Sequence, residues 1–231
     1  MSILGRMNVH ARPVLIYRWL VFIMAGSYCL YQIVFGNWVH AFGPFRFLTI
    51  WALFLSFYAA SRMLAISEFR ITRRHEVTAM CAGVLNIMVV YLYWQLFLTD
   101  PSLVNGGRAP LWHQEYYLHL LGPFLQVFDA LFIGRVFRRV WRGVLPLVGL
   151  IAAYVLWSET VLQRLGDQPQ GAVTSGLPYP FLNDMELAER LTFYGANCAV
   201  AVGLLAVFGL IGMLFYRAWP SAESNAASPS R

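Results

Sequence analysis

Lysine is absent from this chain of 231 residues, so all 17 of its basic side chains are arginine. An all-arginine complement fits GC-rich coding, and the expectation it sets is a bacterial source. Charge of either sign is scarce: Asp, Glu, Lys and Arg make up 12% of the residues, about half of what a water-soluble domain carries. Beside 59% hydrophobic residues, that scarcity excludes both a soluble globular enzyme and a disordered polyelectrolyte. Cysteine is sparse as well. Cys29, Cys81 and Cys198 all fall inside apolar stretches and form no CxxC pair. Neither a disulfide framework nor a zinc or redox motif is indicated, and each reads as a small core residue.

Long apolar runs fill the chain instead. They cover about 15–35, 45–65, 79–98, 114–134, 144–164 and 191–216, each close to the roughly 20 residues that carry a helix across a bilayer. The fold class is therefore all-α, a polytopic membrane bundle of six transmembrane helices. Residues 1–220 read as a single transmembrane domain and the Ser/Ala-rich stretch 221–231 as a disordered tail. The first run follows Arg6, Arg12 and Arg18 as a secretory signal would. It is longer than the apolar segment of such a signal, about 7–15 residues, and no small-x-small site closes it, so it reads as an uncleaved first span.

Alternating the loops between two sides sorts the arginines sharply. One side receives Arg6, Arg12, Arg18, Arg62, Arg70, Arg73, Arg74, Arg135, Arg138, Arg139, Arg142, Arg217 and Arg231; the other receives Arg46, Arg108, Arg164 and Arg190. By the positive-inside rule the crowded side is cytoplasmic, which places both termini inside. The net charge of +6 then reflects anionic headgroups and insertion topology, not nucleic acid. The expected partners are the lipid bilayer and a membrane lipid, in a multi-pass protein of a bacterial inner membrane; no nucleic acid, cofactor or metal is expected.

Polar groups inside a span are costly and are candidates for function. Asn86 and Gln95 lie in the third run, Glu159 in the fifth and Asn197 in the sixth. The fourth run is the richest, with Glu115, His119, Gln126 and Asp129. Glu115 and His119 are one helical turn apart and share a face with Gln126. Asp129 is placed to meet Arg135 or Arg138, whereas Glu159 has no partner legible in the sequence. His119 lies roughly 8 Å and Thr49 roughly 6 Å below the outer surface, at 1.5 Å of rise per residue. An imidazole and a hydroxyl at matched depth are the minimum for a base-activated nucleophile. The plainer readings are that Thr49 back-bonds its own helix or packs at a crossing, and that His119 is structural. Bis-His haem is disfavoured because only His119 of the five histidines lies well within a span.

Three strings carry a resemblance. They are Gly43-Pro44-Phe45-Arg46-Phe47-Leu48-Thr49; His119 followed by Pro123-Phe124; and Tyr154-Val155-Leu156-Trp157 followed by Gly176-Leu177-Pro178-Tyr179-Pro180-Phe181-Leu182. In order and placement the set resembles the androgen-induced gene/FAR-17a-type integral membrane proteins, over about 15–216. That family includes multipass threonine hydrolases of fatty acid esters of hydroxy fatty acids. The resemblance implies Thr49 as nucleophile and His119 as catalytic His, with a fatty acid ester as substrate. Beside it, Glu115 is a candidate to orient the imidazole, and Arg46 or Arg108, at the outer rim, to hold a substrate carboxylate. The competing expectation is a non-enzymatic multipass membrane protein, structural, accessory or transporter-like.

Overall fold

A computed structural model describes residues 8–105 and 111–219. Six of its helices are long and apolar enough to cross a membrane: α1 (Arg12–Phe35), α2 (Leu48–Ser67), α3 (Glu76–Thr99), α4 (Trp112–Ile133), α5 (Trp141–Leu165) and α6 (Leu187–Ala218). The six apolar runs thus become six helices, with ends moved by a few residues. Arg108 lies outside the described residues, as does the stretch 221–231.

Local chemistry sets several of the ends. Pro13 sits in the first turn of α1, where a missing N–H costs nothing and the fixed φ is already helical. At the start of α6 the Glu186 and Glu189 side chains cap each other's backbone N–H groups, satisfying two donors a helix start leaves open. That box begins α6 earlier than hydropathy indicates and draws Arg190 into the helix.

α3 is the axis of the bundle. It is the most buried of the six and packs against α2, α4, α5 and α6. Its apolar residues, among them Ala79, Val84, Leu85 and Met88, form one core with Ala130 and Leu131 of α4, Leu147 of α5 and Ala201 and Leu205 of α6. α1 leans on the outside of this group, chiefly against α2. Large apolar side chains such as Ile16, Leu20, Ile23, Leu145, Leu156, Leu210 and Leu214 stay exposed on the bundle surface. A surface so apolar is stable against acyl chains, not water.

Among the described residues, two ion pairs tie one helix to another. Arg18 of α1, 2% exposed, grips Asp129 of α4 with both prongs of its guanidinium, at 2.9 and 2.8 Å. Its third nitrogen donates to Met63 O at 2.8 Å and Ser67 Oγ at 2.9 Å on α2. The expectation that Asp129 meets Arg135 or Arg138 is therefore corrected. Arg135 and Arg138 lie instead over the Tyr216 ring of α6, and Arg18 is carried into the bundle by a helix that starts at Arg12. Near the opposite end, Arg190 of α6 clasps Glu159 of α5 at 2.9 and 3.0 Å, and Tyr194 donates to the same carboxylate at 2.8 Å.

A common backbone device holds the acidic and imidazole groups. Tyr117–Leu121 and Asp129–Ile133 of α4, and Ser158–Leu162 of α5, are single π-helical turns, each closed by a bond five residues along. These turns contain His119, Asp129 and Glu159. A π turn widens the helix locally and rotates its side chains, and such turns are frequent at functional positions.

Among the described residues, the connections 36–47, 100–105 and 166–186 at one end cover the mouth of the bundle. Within the last of them Asn183, fully buried, acts as a hub. Its side chain accepts from Leu177 N at 3.2 Å and donates to Leu177 O at 3.0 Å. Its carbonyl accepts from Val173 and Thr174 N–H. Gly176 adopts φ +86° with the Gly166 carbonyl against the place of a Cβ, so this crossing requires glycine.

Candidate active site

Thr49 owes its position to an abrupt turn. Phe42 and Gly43 both have positive φ, 63° and 51°, and throw the chain into a short 3-10 turn, Gly43–Arg46, before α2 begins at Leu48. Thr49 is therefore the second residue of its helix. The carbonyl four residues back, on which a helical threonine normally spends its hydroxyl, belongs to Phe45, and it accepts from Trp51 Nε1 at 2.9 Å. No side chain caps α2, and its first-turn N–H groups are a partial positive charge beside the Thr49 hydroxyl.

His119 is fixed from four directions. Its ring lies flat on that of Tyr93, with centroids 3.6 Å apart and planes within 5°. Pro123, four residues on, has no N–H to give the His119 carbonyl; Trp94 Nε1 fills the gap at 2.9 Å. Nδ1 lies 3.0 Å from Glu115 Oε2, an ion-pair distance, although the N–H does not point straight enough at the oxygen for an ideal hydrogen bond. Nε2 faces Thr49 Oγ1 at 3.5 Å across 70 residues of sequence. That is longer than a relaxed O–H to nitrogen bond, as ligand-free catalytic pairs often are.

Thr49, His119 and Glu115 border a cavity of about 610 Å³ beneath the covering loops, within the range of small-ligand sites. Leu85, Met88, Leu92 and Ile151 make its floor and walls, and Arg46, Tyr154 and Tyr179 stand nearer its mouth. Tyr154 donates to Arg46 O at 2.9 Å, at the head of α2. Burial pushes the Tyr179 phenol up to about 12, so it is a neutral hydroxyl at any working pH. Arg46 lies over the Phe47 ring at 4.9 Å and donates to Gln168 O at 3.1 Å, which binds the covering loop to the head of α2.

A second void, of about 20 Å³, lies on the other side of Thr49 among Ser56, Asn86 and Gln126, room for about one water. Asn86 donates to Ser56 Oγ and to Ala82 O, both at 2.7 Å.

The structure thus brings together Thr49, His119, Glu115 and Arg46. Gln126 faces the small void, Asn197 borders the large cavity, Glu159 and Asp129 are spent on ion pairs, and Gln95 is exposed. Among the described residues no cluster of three or more His, Cys, Asp or Glu could hold a metal. Sequence reasoning passed over Gln32 of α1 and the two tyrosine hydroxyls. Gln32 has the same signature as the polar groups singled out, an uncharged amide within an apolar span, and that rule would have found it.

The helices and the cavity define the class, a multipass integral membrane protein with a polar-headed, apolar-walled pocket opening at one end of its bundle. Within that class the chain belongs to the FAR-17a/AIG1-like protein family, whose model matches residues 6–211. No curated protein and no solved structure gives a significant match.

Proposed function

We propose that this protein is an intramembrane hydrolase of fatty acid esters, fatty acid esters of hydroxy fatty acids among them, working through an acyl-threonine. The observation that supports this most is the approach of Thr49 Oγ1 to within 3.5 Å of His119 Nε2, at the wall of a cavity large enough for an acyl ester.

His119 Nε2 takes the hydroxyl proton as Thr49 Oγ1 attacks the ester carbonyl. The adduct collapses, the bond to the alcohol oxygen breaks, and the alcohol leaves with the proton from Nε2. Water then gives a proton to Nε2 and attacks the acyl carbonyl. The fatty acid departs and the proton returns to Thr49 Oγ1. Glu115 beside Nδ1 steadies the imidazole and its transient positive charge. Leu85, Met88 and Leu92 accept acyl chain, and Arg46 near the mouth is within the region where a substrate carboxylate would lie.

A long-chain fluorophosphonate tests the reading directly, because it captures only an activated nucleophile. In detergent-purified protein, peptide mass spectrometry is expected to find the label on Thr49. Thr49→Ala should abolish both labelling and ester turnover, and His119→Ala should slow them by about 10²- to 10⁴-fold. Full ester turnover by either variant, with melting behaviour like that of the parent, would sink the proposal.

A further inference from the structure

We infer that Gln32 of α1 is the side-chain donor to the oxyanion, holding the ester carbonyl oxygen against the head of α2 while Thr49 attacks. The inference rests on the hydrolase reading above and adds a residue to it.

Gln32 is 4% exposed, borders the same cavity as Thr49 and His119, and its Nε2 has no hydrogen-bond partner. A buried amide donor left open is costly unless something else meets it. Two contacts between the antiparallel α1 and α2 fix its level. On one side Cys29 Sγ lies 4.0 Å from Leu53 O. On the other, Gly36 presses against Pro44 with no space for a Cβ. Gln32 lies one turn from each of these α1 residues. Thr49 lies between Pro44 and Leu53, roughly 6 Å above Leu53 at 1.5 Å per residue. Gln32 is roughly 4.5 Å above Cys29 by the same rise, so amide and hydroxyl face one layer of the cavity. His119 is tied to that layer by the approach of its Nε2 to Thr49 Oγ1 at 3.5 Å.

The head of α2 supplies the second donor. The Ile50 N–H bonds Phe47 O at 3.0 Å, whereas the described residues provide no acceptor for the N–H of Thr49. A nucleophile's own N–H paired with a side-chain amide is an arrangement that holds the oxygen of a tetrahedral adduct in water-excluded sites. The ligand it fits is an uncharged carbonyl oxygen that gains negative charge during reaction.

The test compares the parent with Gln32→Leu and Gln32→Met, each full-length in detergent, using a p-nitrophenyl ester of a long-chain fatty acid as probe. A donor to the oxyanion predicts a loss in kcat of about 10²- to 10³-fold, with KM changed by less than about threefold. Melting temperature should be unchanged or raised, since the unmet amide is gone. A packing role predicts the reverse, a lowered melting temperature with kcat intact. Parent-like kcat in either folded variant overturns the assignment of Gln32 while leaving the hydrolase standing. A parent protein that neither turns over the ester nor labels at Thr49 overturns both. Should Gln32→Leu fail to fold, Gln32→Met, unbranched and close to Gln in shape, decides the matter alone.

Discussion

A hydroxyl at the second position of a helix and an imidazole on a π turn meet because local exchanges of hydrogen-bond partner free the first and anchor the second. Trp51 takes the Phe45 carbonyl from Thr49, and Pro123 leaves the His119 carbonyl to Trp94. Glu115 is the third member, 3.0 Å from Nδ1. Its charge matters while the imidazole is protonated, and its shape matters throughout. Glu115→Gln keeps an acceptor for Nδ1–H and removes the charge. We expect it to lower kcat by about tenfold to a hundredfold, less than the loss in His119→Ala, with Thr49 still labelled by the fluorophosphonate. A Glu115→Gln enzyme with unchanged kcat would reduce Glu115 to a packing role. The sequence exposed Thr49, His119 and Glu115 because depth along a span follows from rise per residue. The same rule reaches Gln32 as an amide within a span but not where it points, because the direction of a side chain around α1 does not follow from hydropathy when lipid and protein interior are both apolar.

At the scale of elements, the same blindness covers partners. Asp129 was legible as a costly buried acid, yet its partner Arg18 stands 111 residues away on a helix whose place in the ring no local pattern reveals. The pair locks α1, α2 and α4 at the end remote from Thr49. A buried ion pair is weak evidence of net stability, whereas removing one member strands the other charge and costs about 3–5 kcal/mol. Asp129→Leu alone and Arg18→Met alone should each lower the melting temperature sharply in detergent. The double variant should recover most of the loss, and thermal unfolding of all four proteins gives the coupling. Equal loss in the double variant and the sum of the singles would show that the pair does not act as a unit. The number and approximate extent of the helices were readable because a span needs a fixed apolar length. The π turns were not, since a single widened turn leaves no mark in hydropathy.

For the whole molecule, the question is which leaflet the cavity faces. Arg18 and Arg190 are consumed by ion pairs within the bundle and no longer count as loop charge. Setting them aside leaves, among the described residues, ten arginines at the end remote from Thr49 and two at the Thr49 end, so the bias that orients insertion survives. We therefore expect both termini in the cytoplasm and the 166–186 cover on the outside. In a background with Cys29, Cys81 and Cys198 replaced, Gln170→Cys should react with a membrane-impermeant maleimide on intact cells, whereas Arg139→Cys should react only after permeabilisation. The opposite pattern would invert the protein without dismantling the site, moving Thr49 to the inner leaflet and its ester supply with it. Orientation and chemistry are thus separable: the maleimide pattern decides where substrate comes from, and labelling of Thr49 decides whether there is a reaction to feed.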